Sequence, residues 1–470
     1  MPHSLSPAAV DGTPTYLLVF AYNQQGHELR EVEFRCLMDL FLPAACPRDC
    51  YTFNWFAGKS NDNVFAYVQT MQVDALRQVA SRIILLKELY LLLSHGDTPE
   101  LCAAAAAGRA AELVRDSLQG GKSFRLDVRA FARKLTLEQQ HTIRHVVMQQ
   151  LAIAIDAPVS LSCPAVSLCV WLNAPHHDHL SHTPHCWLGL HIASCTAACA
   201  IADSFSLKKR PFLSPTAMPA AHSCIMANCA HVARNRLTWD PFCGSGSIML
   251  ICSRFGAQTI GSDIDYRVLH GGRCNSKQQG SKEVSLIDNF TFYNLPPPAM
   301  LLHADIGHLP LRASMQVDAV VCDPPYGVRA GTMCTAASSS AGGDGSAAVV
   351  SLNGNIAGTS SQGLVDVMST FLHVSAYHLR IGGRLVFWQP TTEFKDFSDV
   401  ARHPAFDLLY APLEIIHEAW SRRLVVMVKV REYETGMVAD VKPAAVAAAH
   451  FKNADRSDEA VRRRRHDQDN

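Results

Sequence analysis

Several features that would point to other classes of protein are absent from the sequence. The 42 basic and 42 acidic residues leave a net charge of zero, so any nucleic-acid-binding surface must be local. No two cysteines have C-x-x-C spacing, which argues against a zinc ribbon. The longest apolar run, residues 83–93, is far shorter than the roughly 20 residues of a membrane-spanning helix. We therefore predict no membrane segment.

The cysteines indicate a reducing compartment. There are 16 of them, and most stand in apolar runs, as in Leu168-Cys169-Val170. The N-terminus lacks the apolar segment of a secretory signal. Buried, reduced thiols are therefore a better interpretation than disulfides, and we expect a cytoplasmic location, with the nucleus left open.

The pattern of apolar residues predicts two domains. An α+β region is expected over residues 15–175, followed by a His-rich loop at 176–186 and a second domain at 187–432. Residues 332–362, rich in Ser, Gly and Ala, are predicted to form a flexible loop, and residues 1–14 and 433–470 to be disordered. Helices are predicted over residues 27–41 and from Thr136, a plausible N-cap, to 155.

From residue 237 onward, strands and helices alternate regularly. Strands are predicted at residues 237–239, 258–261, 300–303, 317–322 and 383–388, with helices at 247–255, 266–279 and 364–379. Two last strands, 408–418 and 422–430, are separated only by a tight turn and should be antiparallel. Five parallel strands with helical crossovers and a terminal hairpin predict a doubly wound α/β sheet.

A glycine-bearing turn follows the first of these strands, in the run DPFCGSGSI. Gly244 and Gly246 lack a Cβ, so a ligand can approach the backbone closely there. A lone G-x-G is weak evidence for any one ligand, and the turn lacks the lysine of a phosphate-binding loop, which counts against an NTPase.

Three acids are predicted to lie at the carboxyl ends of successive strands, where open parallel sheets bind ligands. Asp240 follows the first strand, Asp263 the second and Asp305 the third. Asp263 suits the two ribose hydroxyls of a nucleoside, Asp305 suits the amino group of its base, and Asp240 suits a cationic part of the same ligand. Any single aspartate is as well explained by helix capping or turn formation, but three at successive strand ends are not.

The run DPPYG follows the strand at 317–322. The Asp323 carboxylate and the Pro324 carbonyl can accept hydrogen bonds from a planar amino group, Pro325 stiffens the turn, and Tyr326 offers an aromatic face to a flat ring. We expect this bend and the glycine-bearing bend to lie side by side. A glycine turn and D-P-P-Y, each after its own strand, look like a class I S-adenosylmethionine-dependent amino-methyltransferase.

Two polar segments allow more than one interpretation. The cations between Arg125 and Lys134 are either an RNA-backbone contact or a solvated face. The His-rich segment has metal-ligating residue types without regular spacing, so a surface loop is favoured over a zinc site and no metal is predicted. Its residues of these types are His176, His177, His179, His182, His185 and Cys186.

Seven stretches resemble the catalytic subunit of the eukaryotic and archaeal tRNA guanosine-10 N2-methyltransferase family. They run from about residue 15 to 430 and read YLLVFAYNQQGHELREVEFRCLMDLF, SFRLDVRAFARKLTLEQQHTIRHV, SLKKRPFLSPTAM, DPFCGSGSIML, GSDID, DPPYGVRAG and GGRLVFWQP. DPPY is shared by many amino-methyltransferases, whereas SLKKR and the N-terminal block are specific. The family usually has G-T-G where Gly244-Ser245-Gly246 stands.

The resemblance implies an N-terminal THUMP-type RNA-binding module and methyl transfer from S-adenosylmethionine to N2 of guanosine 10 of tRNA. It also implies a small zinc-binding activator subunit. The predicted cofactor-binding residues are Asp240, Phe242, Gly244, Gly246, Asp263 and Asp305. The predicted tRNA-binding face comprises Arg125, Arg129, Lys134, Lys208, Lys209 and Arg210.

Two alternatives stay open. The same fold can methylate another planar amino or amide group, such as an rRNA guanine, a DNA adenine or a protein glutamine, although DNA adenine and glutamine methyltransferases more often carry N-P-P-Y. A catalytically idle RNA-binding subunit is the other alternative. The intact acids and glycines of the two bends argue against it.

Overall fold

The computed structural model describes residues 12–22, 26–47, 49–56, 63–131, 133–151, 157–173, 185–214, 217–271, 284–326, 361–391, 397–417 and 420–442. Contacts divide the chain into two units. Met1–Gln24 and Phe41–Ala198 form the first unit, and Gln25–Leu40 and Cys199–Asn470 form the second. Nearly all of helix α1 (His27–Phe41) thus belongs to the second unit. No helix among the described residues is long and apolar enough to cross a membrane.

The first unit is built on one seven-stranded mixed sheet. Its strands are β1 (Thr15–Phe20), β2 (Tyr51–Trp55), β3 (Phe65–Thr70), β4 (Leu86–Gly96), β5 (Phe124–Phe131), β6 (Val166–Asn173) and β7 (His185–Ser194), in the spatial order β2-β3-β1-β4-β7-β6-β5. Helices α2 (Val73–Ala80), α3 (Pro99–Ala105), α4 (Arg109–Leu118) and α5 (Leu137–Gln150) accompany it. The predicted N-cap of α5 is confirmed, because the Thr136 side chain accepts from the Gln139 amide in a capping box.

The second unit contains the predicted α/β sheet. Its strands are β8 (Leu237–Asp240), β9 (Gln258–Asp263), β10 (Met300–His303), β11 (Val317–Cys322), β12 (Leu379–Thr391), β13 (Phe406–Tyr410), β14 (Leu413–His417) and β15 (Trp420–Lys429). The order is β10-β9-β8-β11-β12-β15-β13, and β14 also pairs with β15. The first five strands are mutually parallel, and β15 is antiparallel to its neighbours. The predicted class I methyltransferase fold is confirmed.

The helices of the second unit have apolar faces, which pack against the sheet. Besides most of α1, they are α6 (Thr196–Ser204, whose last residues belong to this unit), α7 (Ala220–Cys229), α8 (Ser247–Arg254), α9 (Tyr266–His270), α10 (Leu286–Phe292) and α11 (Ser361–His378). Phe371 and Leu372 of α11 are fully buried in one core with Trp239, Val320 and Phe387 of the parallel strands. This core fixes β8, β11 and β12 beside one another and so determines which loops meet at their carboxyl ends.

The structure differs from the predicted organisation in several places. The second domain was predicted to begin at residue 187, whereas the first unit runs to Ala198. The single strand predicted at 408–418 is two strands, β13 and β14. His185 and Cys186, assigned to a loop, begin β7 inside the first sheet. The predicted disorder from residue 433 is wrong for 433–442, because Tyr433, Met437 and Val441 pack against the core. Helix α10 was not predicted. Residues 176–184, 272–283, 332–360 and 443–470, which carry other predictions, lie outside the described residues.

Candidate active site

The turn after β8 has the backbone shape that its glycines allow. Gly244 has φ of +50° and Gly246 has φ of +79°, and Gly246 is the residue from which α8 begins. A Cβ at Gly244 would meet only the Ser214 hydroxyl, at 3.7 Å, so the space above this residue is open. The turn therefore presents bare backbone at the helix N-terminus, which suits close approach of a ligand.

Asp263 connects this turn to the end of the neighbouring strand. One carboxylate oxygen accepts from the Gly244 amide at 2.9 Å, and the other accepts from the Asp265 amide at 2.9 Å. Burial raises the pKa of Asp263, and these two hydrogen bonds work in the opposite direction. Asp263 thus holds the glycine turn against β9 while each of its oxygens keeps a second lone pair for a ligand.

Asp240 lies at the point where the acids converge. It is 2 % exposed, and its Oδ1 accepts from the Phe242 amide at 3.1 Å. Burial raises its pKa well above the ordinary value, and the charges of Asp263 and Asp323 raise it further. A cation next to this cluster of three acids would relieve that repulsion. The set therefore fits a ligand that carries a positive charge.

Asp305 lies two residues beyond β10, at the same edge of the sheet. Its Oδ1 accepts a hydrogen bond from the Gly307 amide at 2.9 Å. Asp305 therefore stabilises a turn, which is the alternative role that was given above for any single aspartate. Its side chain is 16 % exposed. The acids Asp305, Asp263, Asp240 and Asp323 thus follow β10, β9, β8 and β11, four strands adjacent in the sheet.

The D-P-P-Y bend follows β11 directly and lies beside the glycine-bearing bend, as predicted. β11 pairs with β8 through Ala319–Thr238 and Val320–Trp239. The Tyr326 hydroxyl donates to Asp323 Oδ1. Burial raises the pKa of Asp323, whereas the charge of Arg422 and the hydrogen bond from Tyr326 work against that rise.

A charged cluster that the sequence analysis missed packs against this bend. The Arg422 Nε atom donates to Glu414 Oε2 at 2.6 Å, and the guanidinium carbon lies 4.0 Å from the centroid of the Trp388 ring. The His222 Nε2 atom lies 2.7 Å from Glu414 Oε1. The available signal was that Glu414 and Arg422 are charged residues within strands that are mostly apolar, which the prediction of a plain hairpin did not use.

Arg210 does not lie on an exposed basic face, so its prediction as a tRNA contact is wrong. It is 6 % exposed, its Nε atom donates to the Phe205 carbonyl at 3.2 Å, and its Nη1 atom donates to the Ser247 hydroxyl at the start of α8. Burial lowers its pKa. Its neighbours Lys208 and Lys209 are exposed. Arg210 therefore supports the glycine turn from inside the fold.

The predicted cations of the first unit differ in their surroundings. Arg125 pairs with Asp127 at 3.1 Å, and Arg129 pairs with Glu88 at 3.1 Å and lies over the Trp171 ring. Lys134 is exposed. The two arginines have carboxylate partners that would compete with phosphate. Lys134 is therefore the best candidate of the three for a contact with the RNA backbone. Within the described residues, no group of three His, Cys, Asp or Glu side chains is placed to hold a metal ion.

Comparisons with known proteins agree with this geometry. The family model described as RMKL-like, methyltransferase domain matches residues 208–338. The chain is 28 % identical over 435 residues to tRNA (guanine(10)-N(2))-methyltransferase TRMT11 of Bos taurus, covering 89 % of each protein. It is 31 % identical over 312 residues to tRNA (guanine(10)-N(2))-methyltransferase of Schizosaccharomyces pombe, covering 66 % of this chain and 62 % of that protein.

A solved structure, TrmN from Thermus thermophilus, is 18 % identical and aligns with a TM-score of 0.40, covering 88 % of this chain and 100 % of TrmN. The sequence relatives and the family model confirm the resemblance that the motifs indicated.

Proposed function

We propose that this chain, an S-adenosylmethionine-dependent methyltransferase related to the tRNA (guanine(10)-N(2))-methyltransferases, transfers a methyl group to N2 of guanosine 10 in tRNA. The observation that carries the proposal is the adjacency of β8 and β11, which brings the acid-lined glycine turn next to the D-P-P-Y bend. Cofactor and amino group would meet between these two bends.

S-adenosylmethionine supplies an electrophilic methyl group on a cationic sulfur. Gly244 and Gly246 would face it with bare backbone, and Phe242 lies in the same turn, half-buried. Asp263 and Asp305 would accept from the hydroxyl and amino groups of its nucleoside, and Asp240 would lie near the positive charge. Burial and the charges of Asp263 and Asp323 raise the pKa of Asp240, and a bound cation would lower it again by favouring the ionised carboxylate.

The D-P-P-Y bend would bind the target amino group. The lone pair of an aryl amine is delocalised into its ring, so the amine is a weak nucleophile. Hydrogen bonds from its two N–H groups to Asp323 and the Pro324 carbonyl bias the nitrogen toward a tetrahedral shape. Pro325 holds the backbone of the bend rigid, and Tyr326 lies beside the base. Most of the rate then comes from alignment, and the amine loses its proton to Asp323 or to water.

The remaining parts of the proposal concern tRNA and the activator. The first unit is proposed as the THUMP-type RNA-binding module, with Lys134 and the partly exposed Arg125 and Arg129 contributing to phosphate contacts, and Lys208 and Lys209 contributing from the second unit. A small zinc-binding subunit is proposed as the activating partner. Most of the described cysteines are buried, which suits the proposed cytoplasmic or nuclear location.

The test is methyl transfer to defined tRNA. Unmodified tRNA transcripts are incubated with radiolabelled S-adenosylmethionine and the chain, with and without the activator, and the labelled nucleoside is identified. The matched substrate carries inosine at position 10, which differs from guanosine only by the missing 2-amino group. We expect N2-methylguanosine from the first substrate and no label in the second. Label on adenine, cytosine or protein, or equal labelling of the inosine substrate, contradicts the proposal.

A further inference from the structure

The charged cluster and the D-P-P-Y bend are linked by hydrogen bonds and by charge. His222 contacts Glu414, Glu414 accepts from Arg422, and Tyr326 donates to Asp323. The positive charge of Arg422 acts on both Tyr326 and Asp323 and favours their ionised forms. These interactions connect α7, β14, β15 and the bend after β11. Each partner is buried or half-buried, so water does not readily replace these contacts.

The hydrogen bond between Tyr326 and Asp323 sets the hydrogen-bonding state of the carboxylate. Tyr326 has one hydroxyl proton, which it donates to Asp323 Oδ1. That oxygen is thereby an acceptor, and Oδ2 is left to accept from a substrate amino group. The Arg422 guanidinium has no acceptor atom, so it cannot take the Tyr326 proton away from Asp323, and its positive charge favours the ionised carboxylate.

We propose that Arg422 is a positioning residue for methyl transfer, which holds Tyr326 and keeps Asp323 as a hydrogen-bond acceptor for the target amino group. Arg422 is itself held on two sides, by the Glu414 carboxylate at 2.6 Å and by the Trp388 ring at 4.0 Å. This inference rests on the proposed function, because it assigns a role within the same site.

The charges that face Asp323 explain why the arginine is needed. Burial disfavours the ionised carboxylate, as do Glu414 of β14 and the nearby Asp240 of β8. Arg422 of β15 and His222 of α7 favour it, together with the hydrogen bond from Tyr326. The thiol of Cys322, next to Asp323 in the chain, is buried, and burial raises its pKa well above the ordinary value, which keeps it neutral. Without Arg422, the burial of Asp323 and the nearby acids raise its pKa further, so Asp323 keeps its proton to higher pH.

The experiment measures the rate of methyl transfer in a single turnover against pH, on the tRNA transcript with position-10 guanosine and with the activator present. The acidic limb of the wild-type profile reports protonation of a group needed for transfer. For Arg422→Met we expect the rate at pH 7 to fall by about tenfold or more and the limb to move up by about one pH unit or more. Arg422→Lys keeps the charge, so its limb should lie near that of the wild type although its rate falls.

Arg423→Met is the matched control. Arg423 is the next residue of β15, is 3 % exposed at its side chain, and lies near Asp399 and the Phe397 ring. Its loss should lower stability and leave the acidic limb unmoved. A limb that stays in place in Arg422→Met, or moves equally in Arg423→Met, overturns the inference. An inactive wild type instead contradicts the proposed function, so the two failures are distinguishable.

A second readout does not depend on turnover. Isotope-edited infrared spectroscopy of protein with labelled aspartate follows the carboxyl band that Asp323→Asn removes. This band should titrate at higher pH in Arg422→Met than in the wild type. An unchanged titration of the band overturns the inference even if the variant has lost activity.

Discussion

The Nη2 atom of Arg384 lies 3.1 Å from Oδ2 of Asp39, which stands 345 residues earlier in the chain. Arg384 also donates through Nη1 to the Cys229 carbonyl at 3.0 Å and approaches the Cys36 sulfur at 3.2 Å. One buried guanidinium of β12 thus binds helix α1 and the end of α7 together. The fully buried pair Asn228–Glu33, at 2.7 Å, adds a second link between the same helices.

Arg384→Met should loosen α1 within the second unit. The substitution removes the hydrogen bonds of the guanidinium to both helices, and Asp39 is 42 % exposed and can turn to water, so we expect a cost of about 2 kcal/mol. Hydrogen–deuterium exchange across residues 27–41 should accelerate by roughly 30-fold if α1 opens locally. The control is Arg77→Met in α2, whose ion pair with Asp74 is exposed. Unchanged exchange in Arg384→Met contradicts the expectation.

Gly246→Ala should impair both folding and cofactor binding. Its φ of +79° is strained for alanine, and the new Cβ would lie 3.0 Å from the Leu286 side chain. Gly382→Ala is the matched control, because its φ is +78° and nothing lies within 4 Å of the new Cβ. The control should cost about 1 kcal/mol of unfolding free energy. Gly246→Ala should lose more unfolding free energy than the control. Only Gly246→Ala should also bind S-adenosylmethionine more weakly, as measured by calorimetry.

Asp240→Asn should stabilise the fold while it weakens cofactor binding. The folded-state pKa of Asp240 is raised above its ordinary value of 3.8, so the folded protein holds the proton more tightly than the unfolded chain does. The cost of ionising this buried group therefore appears as pH rises above 3.8 and persists at neutral pH. Asparagine removes that cost and keeps an acceptor for the Phe242 amide.

The measurement for Asp240→Asn is chemical denaturation at several pH values. The variant should gain stability over the wild type as the pH rises above the ordinary pKa of 3.8, and the gain should level off once the pH exceeds the raised folded-state pKa. S-adenosylmethionine affinity should fall, because the cation no longer has that carboxylate nearby. A variant that is less stable than the wild type at every pH would show that Asp240 is held by interactions that favour its charged form.

Lys208 and Lys209 should contribute to tRNA affinity through charge alone, whereas the adjacent Arg210 should not. Replacing both lysines with alanine should reduce the slope of log affinity against log salt by about two units, one for each phosphate that is no longer neutralised. Arg210→Met should lower thermal stability and leave that slope unchanged, because its guanidinium is buried against Ser247 and Phe205. Filter binding over a salt series distinguishes the two outcomes.

The bends of the active site were predictable because their chemistry is local. Gly244 and Gly246 indicate a turn whose backbone needs glycine. Asp323 to Tyr326 follow a strand that is recognisable from its apolar run. The amphipathic pattern of α1 was equally clear. Its burial against α7 and β12 was not, because periodicity identifies a buried face and says nothing about the element that covers it.

The Arg422 cluster was hidden for a similar reason. Alternation along β15 predicts which residues share a face, and Glu414 lies on the strand next to Arg422. The contact of Glu414 with His222 of α7, however, joins residues 192 positions apart and does not follow from either strand alone. Arg210 was misassigned because it follows two exposed lysines, and a run of charge in sequence normally indicates a surface. The structural role of Arg210 is visible only in the fold, where its side chain is buried beside the glycine turn.

The membership of α1 in the second unit has a consequence during synthesis. The helix leaves the ribosome before its partners in α7 and β12, which are made roughly 190 to 350 residues later. At typical elongation rates this interval lasts on the order of tens of seconds. During that time the apolar face of a nascent helix stays uncovered, so a chaperone that shields it would raise the yield of active protein.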